Sequence, residues 1–269
     1  MTMTSHAETR VDPLWWSWEG AHGGWVAAAA LDAVRERFAG GAQPVRSLTT
    51  HFLAPVRTGA LYFSGTAPAT GRRTATCLFT GHQDGEPVLH GSALFGPGRS
   101  GPAHEGLPAP DVPGPDECPP LDLPVGLALF ARQLEMRPAT ANLPLAGGPR
   151  ARLVVWVRFR DGRALDAAAV TTLADVLPPA LYARWRTPRP VPTAELTLHF
   201  TDALDEEAPQ GWALVRIRTE HAGGGWAVDD SAVWSAGRRL LATGRQARVV
   251  RERRDTGTPG QTAAGTVNS

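Results

Sequence analysis

The sequence predicts an α+β fold built from two tandem copies of one unit, each a long helix packed against an antiparallel sheet. Three observations support this prediction. A helix-forming run followed by strand-like segments occurs in the first half of the 269 residues, and the same order recurs in the second half. Residues 48–52 and 196–200 match almost letter for letter, LTTHF against LTLHF, at an offset of 148 residues. A proline-rich stretch separates the two halves, as expected for an internal duplication.

The first half is predicted to hold a disordered N-terminus, residues 1–12, and a first repeat, residues 13–96. The five alanines within residues 26–38 favour a helix. Four strand-like segments follow, at residues 45–53, 59–68, 72–83 and 87–96. The last two are predicted to form a hairpin, because Asp84-Gly85 between them is a typical two-residue turn.

Residues 97–124 contain nine prolines, a composition that resists both helix and sheet, and they are predicted to be a linker. The second repeat, residues 125–250, begins with a short segment at 125–137 and also contains a helix over residues 165–185. Its strands are predicted at residues 150–160, 193–201, 211–221, 225–235 and 238–250. Residues 251–269 are polar and glycine-rich and are predicted to be a disordered tail.

Composition and charge exclude several classes of protein. The net charge is +1, which gives no reason to expect nucleic acid as a partner. All 27 basic residues are arginines, so lysine Schiff bases and phosphate-binding lysine loops are excluded. Cys77 and Cys118 are too few for a disulfide framework or a metal site and fit a reducing compartment. Because no apolar signal or membrane-spanning segment is visible, we expect a cytoplasmic protein without a membrane partner. We also expect no metal and no cofactor.

Asp175 is the first candidate functional residue, because it lies in the apolar run LADVL and a carboxylate in such company is costly to desolvate. Thr193 at a strand opening and Gln246 in the last strand are further polar positions of the second half. At an offset of 152 residues Gln246 corresponds to Leu94, and Asp175 corresponds approximately to the Gly23-Gly24 region. Each of the three could be a solvated or strand-start residue. Their presence in one copy only suggests a single polar site.

Six short motifs follow one another along the chain. They are HGGW at 22–25, SLTTHFLAPVRTG at 47–59, ALFG at 93–96, LADVLPPA at 173–180, PTAELTLHF at 192–200 and LLATGRQA at 240–247. Together they resemble the acyl-CoA thioesterase II type of double hotdog protein, over about residues 16–249. The resemblance implies two fused hotdog repeats, each a long helix wrapped by a curved antiparallel sheet, that hydrolyse the thioester of acyl-coenzyme A.

The resemblance also implies a set of catalytic residues. The family's catalytic aspartate, hydroxyl residue and glutamine map onto Asp175, Thr193 and Gln246. Asp175 would take the proton of the attacking water, while Thr193 and Gln246 would hold the water and the carboxylate by hydrogen bonds. A direct attack by Asp175 on the thioester, giving an anhydride, stays open.

Two further groups are candidates for binding the substrate. Backbone N–H groups at a helix start are suited to the oxyanion, since a helix N-terminus favours negative charge; these belong to Gly23, Gly24 and Trp25. Arginines beside hairpin turns could bind the phosphates of coenzyme A or be solvated turn charges; these are Arg72, Arg73 and Arg238.

Two other functions stay open. A hotdog dehydratase or hydratase on a carrier-bound acyl chain would need a histidine at its site, and His22 is the candidate, although its place beside two glycines at a helix start favours a turn or cap. A non-catalytic acyl-thioester-binding protein would bind its ligand without turnover. The sequence does not choose between coenzyme A and an acyl carrier protein, or between a monomer and a homodimer or higher homo-oligomer.

Overall fold

The computed structural model describes residues 6–37, 43–70, 74–121, 128–206 and 208–252. That part of the chain contains two α-helices and eleven β-strands. The helices are α1 (Gly23–Arg37) and α2 (Ala167–Ala174). The strands are β1 (His6–Val11), β2 (Val45–Phe52), β3 (Gly59–Thr70), β4 (Ala75–Gln83), β5 (Glu86–Phe95), β6 (Leu134–Pro138), β7 (Arg152–Phe159), β8 (Thr193–Phe200), β9 (Ala213–Gly223), β10 (Trp226–Ser235) and β11 (Leu240–Val249).

The strands form one antiparallel sheet in the order β1-β3-β4-β5-β2-β8-β11-β10-β9-β7-β6. The order β3-β4-β5-β2 of the first half recurs as β9-β10-β11-β8 in the second, and β2 pairs with β8 at the centre. All the predicted strands are present within about three residues of their expected bounds. The hairpin at Asp84-Gly85 is confirmed, and its φ angles of 53° and 85° are those that a two-residue turn requires.

A pseudo-twofold axis passes between the halves at Thr49 and Thr197. These two residues face each other across β2 and β8, with their hydroxyl oxygens 3.0 Å apart. They are also the residues that the 148-residue offset makes equivalent, so a rotation about this point exchanges the two copies. The predicted duplication is therefore confirmed, with one helix and one half of the sheet in each copy.

Helix α1 buries one apolar face against the sheet. Val26, Ala30 and Val34 repeat every four residues and are at most 1% exposed. The helix packs on β1 to β4 and lies beside α2, and its many alanines permit this close approach. No helix in the described ranges is long and apolar enough to cross a membrane.

Helix α2 is much shorter than the predicted helix over residues 165–185, so that prediction was wrong in length. It begins at the N-cap Asp166, whose Oδ1 accepts the N–H of Ala169 (2.8 Å), and ends after Ala174. Pro178 and Pro179 follow within one turn, and proline removes the N–H that a continuing helix needs. Asp175 is therefore the C-cap (φ −113°, ψ 5°) and not an interior helix residue.

The N-terminus corrects a second prediction, because His6–Val11 form strand β1 instead of belonging to a disordered segment over 1–12. β1 pairs antiparallel with β3 at the edge of the sheet. Ala7 and Val11 are buried, while Glu8 and Arg10 are exposed. An edge strand with half its residues polar resembles a loop in composition. The predicted tail lies outside the described residues beyond 252, and the limits of the two repeats stay a prediction.

The described part of the proline-rich segment, residues 97–121, covers the outer face of the second half of the sheet. It forms no strand or α-helix, as predicted. The indole N–H groups of Trp156 and Trp234 donate to the carbonyl oxygens of Pro113 (2.9 Å) and Leu107 (3.3 Å). Because Trp156 and Trp234 point away from the helices, these contacts build a second, smaller core on that face.

Candidate active site

The carboxylate of Asp175 lies where the end of α2 meets the start of α1 and strand β11. Gly24 of α1 donates its backbone N–H to Asp175 Oδ2 (2.9 Å), and Gln246 of β11 donates its Nε2–H to Asp175 Oδ1 (2.7 Å). Asp175 is 9% exposed and Gln246 is fully buried. Since α1 belongs to the first copy and β11 to the second, the carboxylate is held between the two copies.

Two adjacent glycines make this junction possible. A side chain at Gly24 would place its Cβ 2.8 Å from the carbonyl oxygen of Thr172, so the backbones of α1 and α2 can meet only at a glycine. A Cβ at Gly23 would lie 2.8 Å from Asp175 Oδ2 and 3.4 Å from the ring of Phe52. The Cα of Gly23 therefore lies directly against this carboxylate oxygen, a close approach that only glycine permits.

His22, the N-cap of α1, fixes the main chain around the carboxylate. Its Nε2 lies 3.1 Å from the carbonyl oxygen of Asp175, and its Nδ1 accepts the N–H of Trp25 (3.2 Å). Burial lowers the pKa of His22, although the carboxylate of Asp175 acts in the opposite direction. The neutral ring with its proton on Nε2 satisfies both contacts, so both ring nitrogens are used by the backbone.

The three predicted oxyanion donors have different partners. The N–H of Gly24 binds Asp175 and the N–H of Trp25 binds His22. The N–H of Gly23 has no hydrogen-bond partner among the described residues. Of these three groups, only the N–H of Gly23 is thus left free by the part of the chain that the structure describes.

Arg248 is a member of the site that the sequence analysis missed. Its guanidinium is almost fully buried, and Nη2 donates to Asp175 Oδ1 (3.3 Å) and to Gln246 Oε1. Nη1 donates to Thr193 Oγ1 (2.8 Å). Thr193 is therefore linked to Asp175 through Arg248, with no direct hydrogen bond between them. The available signal was the spacing, since Arg248 follows Gln246 by two residues and shares its face of the strand.

Asp229 completes the buried cluster and was also missed. Its Oδ2 forms an ion pair with Arg248 Nε (3.0 Å), and its Oδ1 accepts the hydroxyl proton of Thr219 (2.6 Å). Asp229 is 1% exposed and lies opposite Gln246 in the β10–β11 pair. One arginine thus stands between two buried carboxylates.

The first copy has apolar residues at every equivalent position. The strand pairings make Gln246 equivalent to Ala93, not to Leu94 as the sequence offset suggested, and the helix starts make Asp175 equivalent to Leu31. The same pairings relate Thr193, Arg248 and Asp229 to Val45, Phe95 and Cys77. All five equivalents in the first copy are buried. The Gly23-Gly24 pair contacts Asp175 and is not its counterpart.

The arginines predicted to bind phosphates lie elsewhere. Arg238 donates to the carbonyl oxygens of Pro110 and Val112 (2.8 Å for Val112) and stacks over Trp156, so it binds the proline-rich segment. Arg238 precedes β11, whose first residue, Leu240, lies six residues or about 20 Å along the strand from Gln246. Arg72 and Arg73 are outside the described residues. Within the described ranges, no three His, Cys, Asp or Glu side chains are arranged to bind a metal ion.

Comparisons with known proteins agree with this architecture. A family model described as the acyl-CoA thioesterase N-terminal domain matches residues 12–96, and one described as the acyl-CoA thioesterase C-terminal domain matches residues 115–250. No curated protein sequence matches the chain.

Solved structures from three bacteria have the same fold. A hot dog fold protein of unknown function from Alicyclobacillus acidocaldarius has a TM-score of 0.85 at 25% identity, over 94% of this chain and 96% of that one. A candidate thioesterase from Novosphingobium aromaticivorans has a TM-score of 0.78 at 28% identity, over 92% and 96%. A candidate thioesterase II from Thermobifida fusca has a TM-score of 0.79 at 22% identity, over 92% of each chain. The chain is a double hotdog protein and belongs to the acyl-CoA thioesterase family of thioester hydrolases.

Proposed function

We propose that the protein hydrolyses the thioester of an acyl-CoA with a water molecule activated by Asp175. The observation that carries the proposal is the unequal use of the two carboxylate oxygens. Oδ1 accepts two hydrogen bonds, from Gln246 and Arg248, whereas Oδ2 accepts one, from Gly24. An ionised carboxylate oxygen can accept more than one hydrogen bond, so Oδ2 still has a lone pair for a second donor. Oδ2 is thus the oxygen available to accept a proton from water.

The free N–H of Gly23 suits the oxyanion. It lies at the start of a fifteen-residue helix, where the helix dipole favours negative charge. The neighbouring N–H groups are already used, because Gly24 donates to Asp175 Oδ2 and Trp25 donates to His22 Nδ1. We therefore no longer propose these two groups as oxyanion donors. Base and oxyanion donor then lie together where the start of α1 meets Asp175 Oδ2.

The reaction follows from these positions. Water adds to the thioester carbonyl carbon while its proton moves to Asp175 Oδ2, and the carbonyl oxygen becomes an oxyanion on the Gly23 N–H. The tetrahedral intermediate collapses, the carbon–sulfur bond breaks, and the thiolate takes the proton from Asp175. Thr193 accepts a hydrogen bond from Arg248, so its own hydroxyl proton is free to hold the water.

Direct attack by Asp175 makes a different prediction. An anhydride formed at Asp175 would put a carboxylate oxygen of the enzyme into the product in a first turnover. In a single turnover in ¹⁸O-labelled water, an unlabelled acid together with a labelled Asp175 identifies an anhydride that water opens at the Asp175 carboxyl carbon. Activated water labels the acid and never Asp175, and an acyl-enzyme that can be trapped chemically would reveal an anhydride opened at the acyl carbon.

His22 does not support the dehydratase or hydratase reaction. That chemistry needs an imidazole nitrogen facing the acyl chain, whereas both nitrogens of His22 are bound to the backbone.

The decisive experiment measures thiol release from short, medium, long, branched and aromatic acyl-CoAs by the wild type and by Asp175→Asn. We expect turnover of at least one substrate and a loss of about a hundredfold or more in the variant, the size of effect for removing a general base. Asp230→Asn is the matched control, because Asp230 is the next residue to Asp229 and pairs with the exposed Arg245 instead. Acyl-CoA binding without turnover would reject the proposal and favour an acyl-thioester-binding protein. Equal turnover by Asp175→Asn would reject Asp175 as the base.

A further inference from the structure

The buried guanidinium of Arg248 touches each of the three side chains that the proposed hydrolysis uses. It donates to Thr193 Oγ1, to Asp175 Oδ1 and to Gln246 Oε1. Its remaining nitrogen faces Asp229 at 3.0 Å. A planar fork of five donors can hold several acceptors in fixed relative positions, which a single ammonium group cannot do.

The fold itself does not need this cation. At the equivalent place in the first copy, Phe95 stands for Arg248 and Cys77 for Asp229, and both are fully buried in the apolar core. Removing an arginine and two carboxylates from water costs several kcal/mol per ion, which their mutual attraction does not always recover. A polar arrangement kept in one copy, where the other copy uses an apolar one, points to a role in the site.

The contacts define what that role is. Because Gln246 Oε1 accepts from Arg248, its Nε2 must be the end that donates to Asp175. Because Arg248 and Gln246 both donate to Oδ1, the carboxylate is turned so that Oδ2 faces Gly23. Asp229 in turn anchors the guanidinium from the opposite side.

We infer that Arg248, anchored by Asp229, is a positioning residue of the hydrolytic site. It orients the amide of Gln246 and the hydroxyl of Thr193, and its positive charge lies beside Asp175 Oδ1, which leaves Oδ2 directed at the water. This inference rests on the proposed thioesterase function and extends it to two residues outside the Asp175, Thr193 and Gln246 set.

The test is the pH dependence of kcat/KM. The ionisable groups around Asp175 are His22 at the start of α1, Arg248 on β11, Asp229 on β10 behind it, and Tyr182, whose pKa is raised by burial. In Arg248→Met the carboxylate loses its neighbouring cation and still has Asp229 nearby. We expect the acid limb of the profile to move about one to three pH units upward and kcat/KM at its plateau to fall about tenfold to a hundredfold.

A second variant guards against misfolding, since Arg248→Met leaves Asp229 buried without a partner. In Arg248→Met/Asp229→Asn both charges of the pair are removed, and the acid limb should again move upward, by less. In Arg248→Lys the charge is retained and the fork is lost, so the limb should stay near that of the wild type while kcat/KM falls.

The matched control is Arg245→Met/Asp230→Asn. This pair also joins β10 and β11, with Nε 2.7 Å from Asp230 Oδ1, but Arg245 is exposed. The control should keep the wild-type profile. If the wild type turns over acyl-CoA but the acid limb is unmoved in both Arg248→Met variants, the inference about Arg248 is wrong. The proposed thioesterase function would then still stand. A wild type without turnover overturns the proposed function, and the inference with it.

Discussion

A methyl group at Gly23 is expected to block the reaction while leaving the fold intact. The Cβ of Gly23→Ala would lie 2.8 Å from Asp175 Oδ2, whereas such atoms settle at about 3.5 Å. The carboxylate would have to move by roughly 0.7 Å, against its hydrogen bonds from Gly24 and Gln246. A displacement of this size in a reacting group costs about tenfold to a hundredfold in kcat/KM.

The stability of the variant separates this effect from unfolding. Alanine favours a helix over glycine by about 1 kcal/mol, and one weakened hydrogen bond costs about 1 kcal/mol. The free energy of unfolding in urea should therefore stay within about 1 kcal/mol of the wild type. Gly237→Ala is the control, because a Cβ there meets nothing closer than Ser235 Oγ at 3.8 Å. If Gly23→Ala had wild-type kcat/KM, Oδ2 would not be the oxygen that takes the proton from water.

Two further predictions concern the surroundings of the site and the opposite face of the sheet. Burial lowers the pKa of His22 below 6.5, its value in the unfolded chain, so the folded protein binds the proton less readily. The free energy of unfolding should therefore be constant with respect to His22 above pH 6.5 and should fall by at most about 1.4 kcal/mol per pH unit below it. Urea midpoints at several pH values should show a smaller slope for His22→Asn, which can still cap Trp25; equal slopes in both proteins would contradict this. Trp156→Phe loses the hydrogen bond to the carbonyl oxygen of Pro113, so the free energy of unfolding should fall by about 1 kcal/mol. Protease cleavage between residues 97 and 114 should become faster, while kcat/KM should stay unchanged. Cleavage at the wild-type rate would show that this bond does not hold the segment.

Regular elements were predictable because their signals are local. The period of two in β2, β8 and β11 and the apolar face of α1 are properties of neighbouring residues. The failures have local causes too. Pro178-Pro179 ends α2 early, and the polar residues of β1 hide an edge strand. Arg238 was predicted from its turn position, which carries no information about the carbonyl oxygens that it binds.

The sequence by itself determined the duplication, the order of the elements after β1, and the three polar residues Asp175, Thr193 and Gln246 that occur in one copy. Only the tertiary structure decided how they meet. Arg248 reaches Asp175 across 73 residues, and Gly24 reaches it across 151. Such contacts depend on how two helices and a sheet pack, since hydrogen-bond geometry is fixed to fractions of an ångström and no short-range pattern specifies it. The division of work between Oδ1 and Oδ2, the part of Asp229 and the free N–H of Gly23 follow from that packing alone.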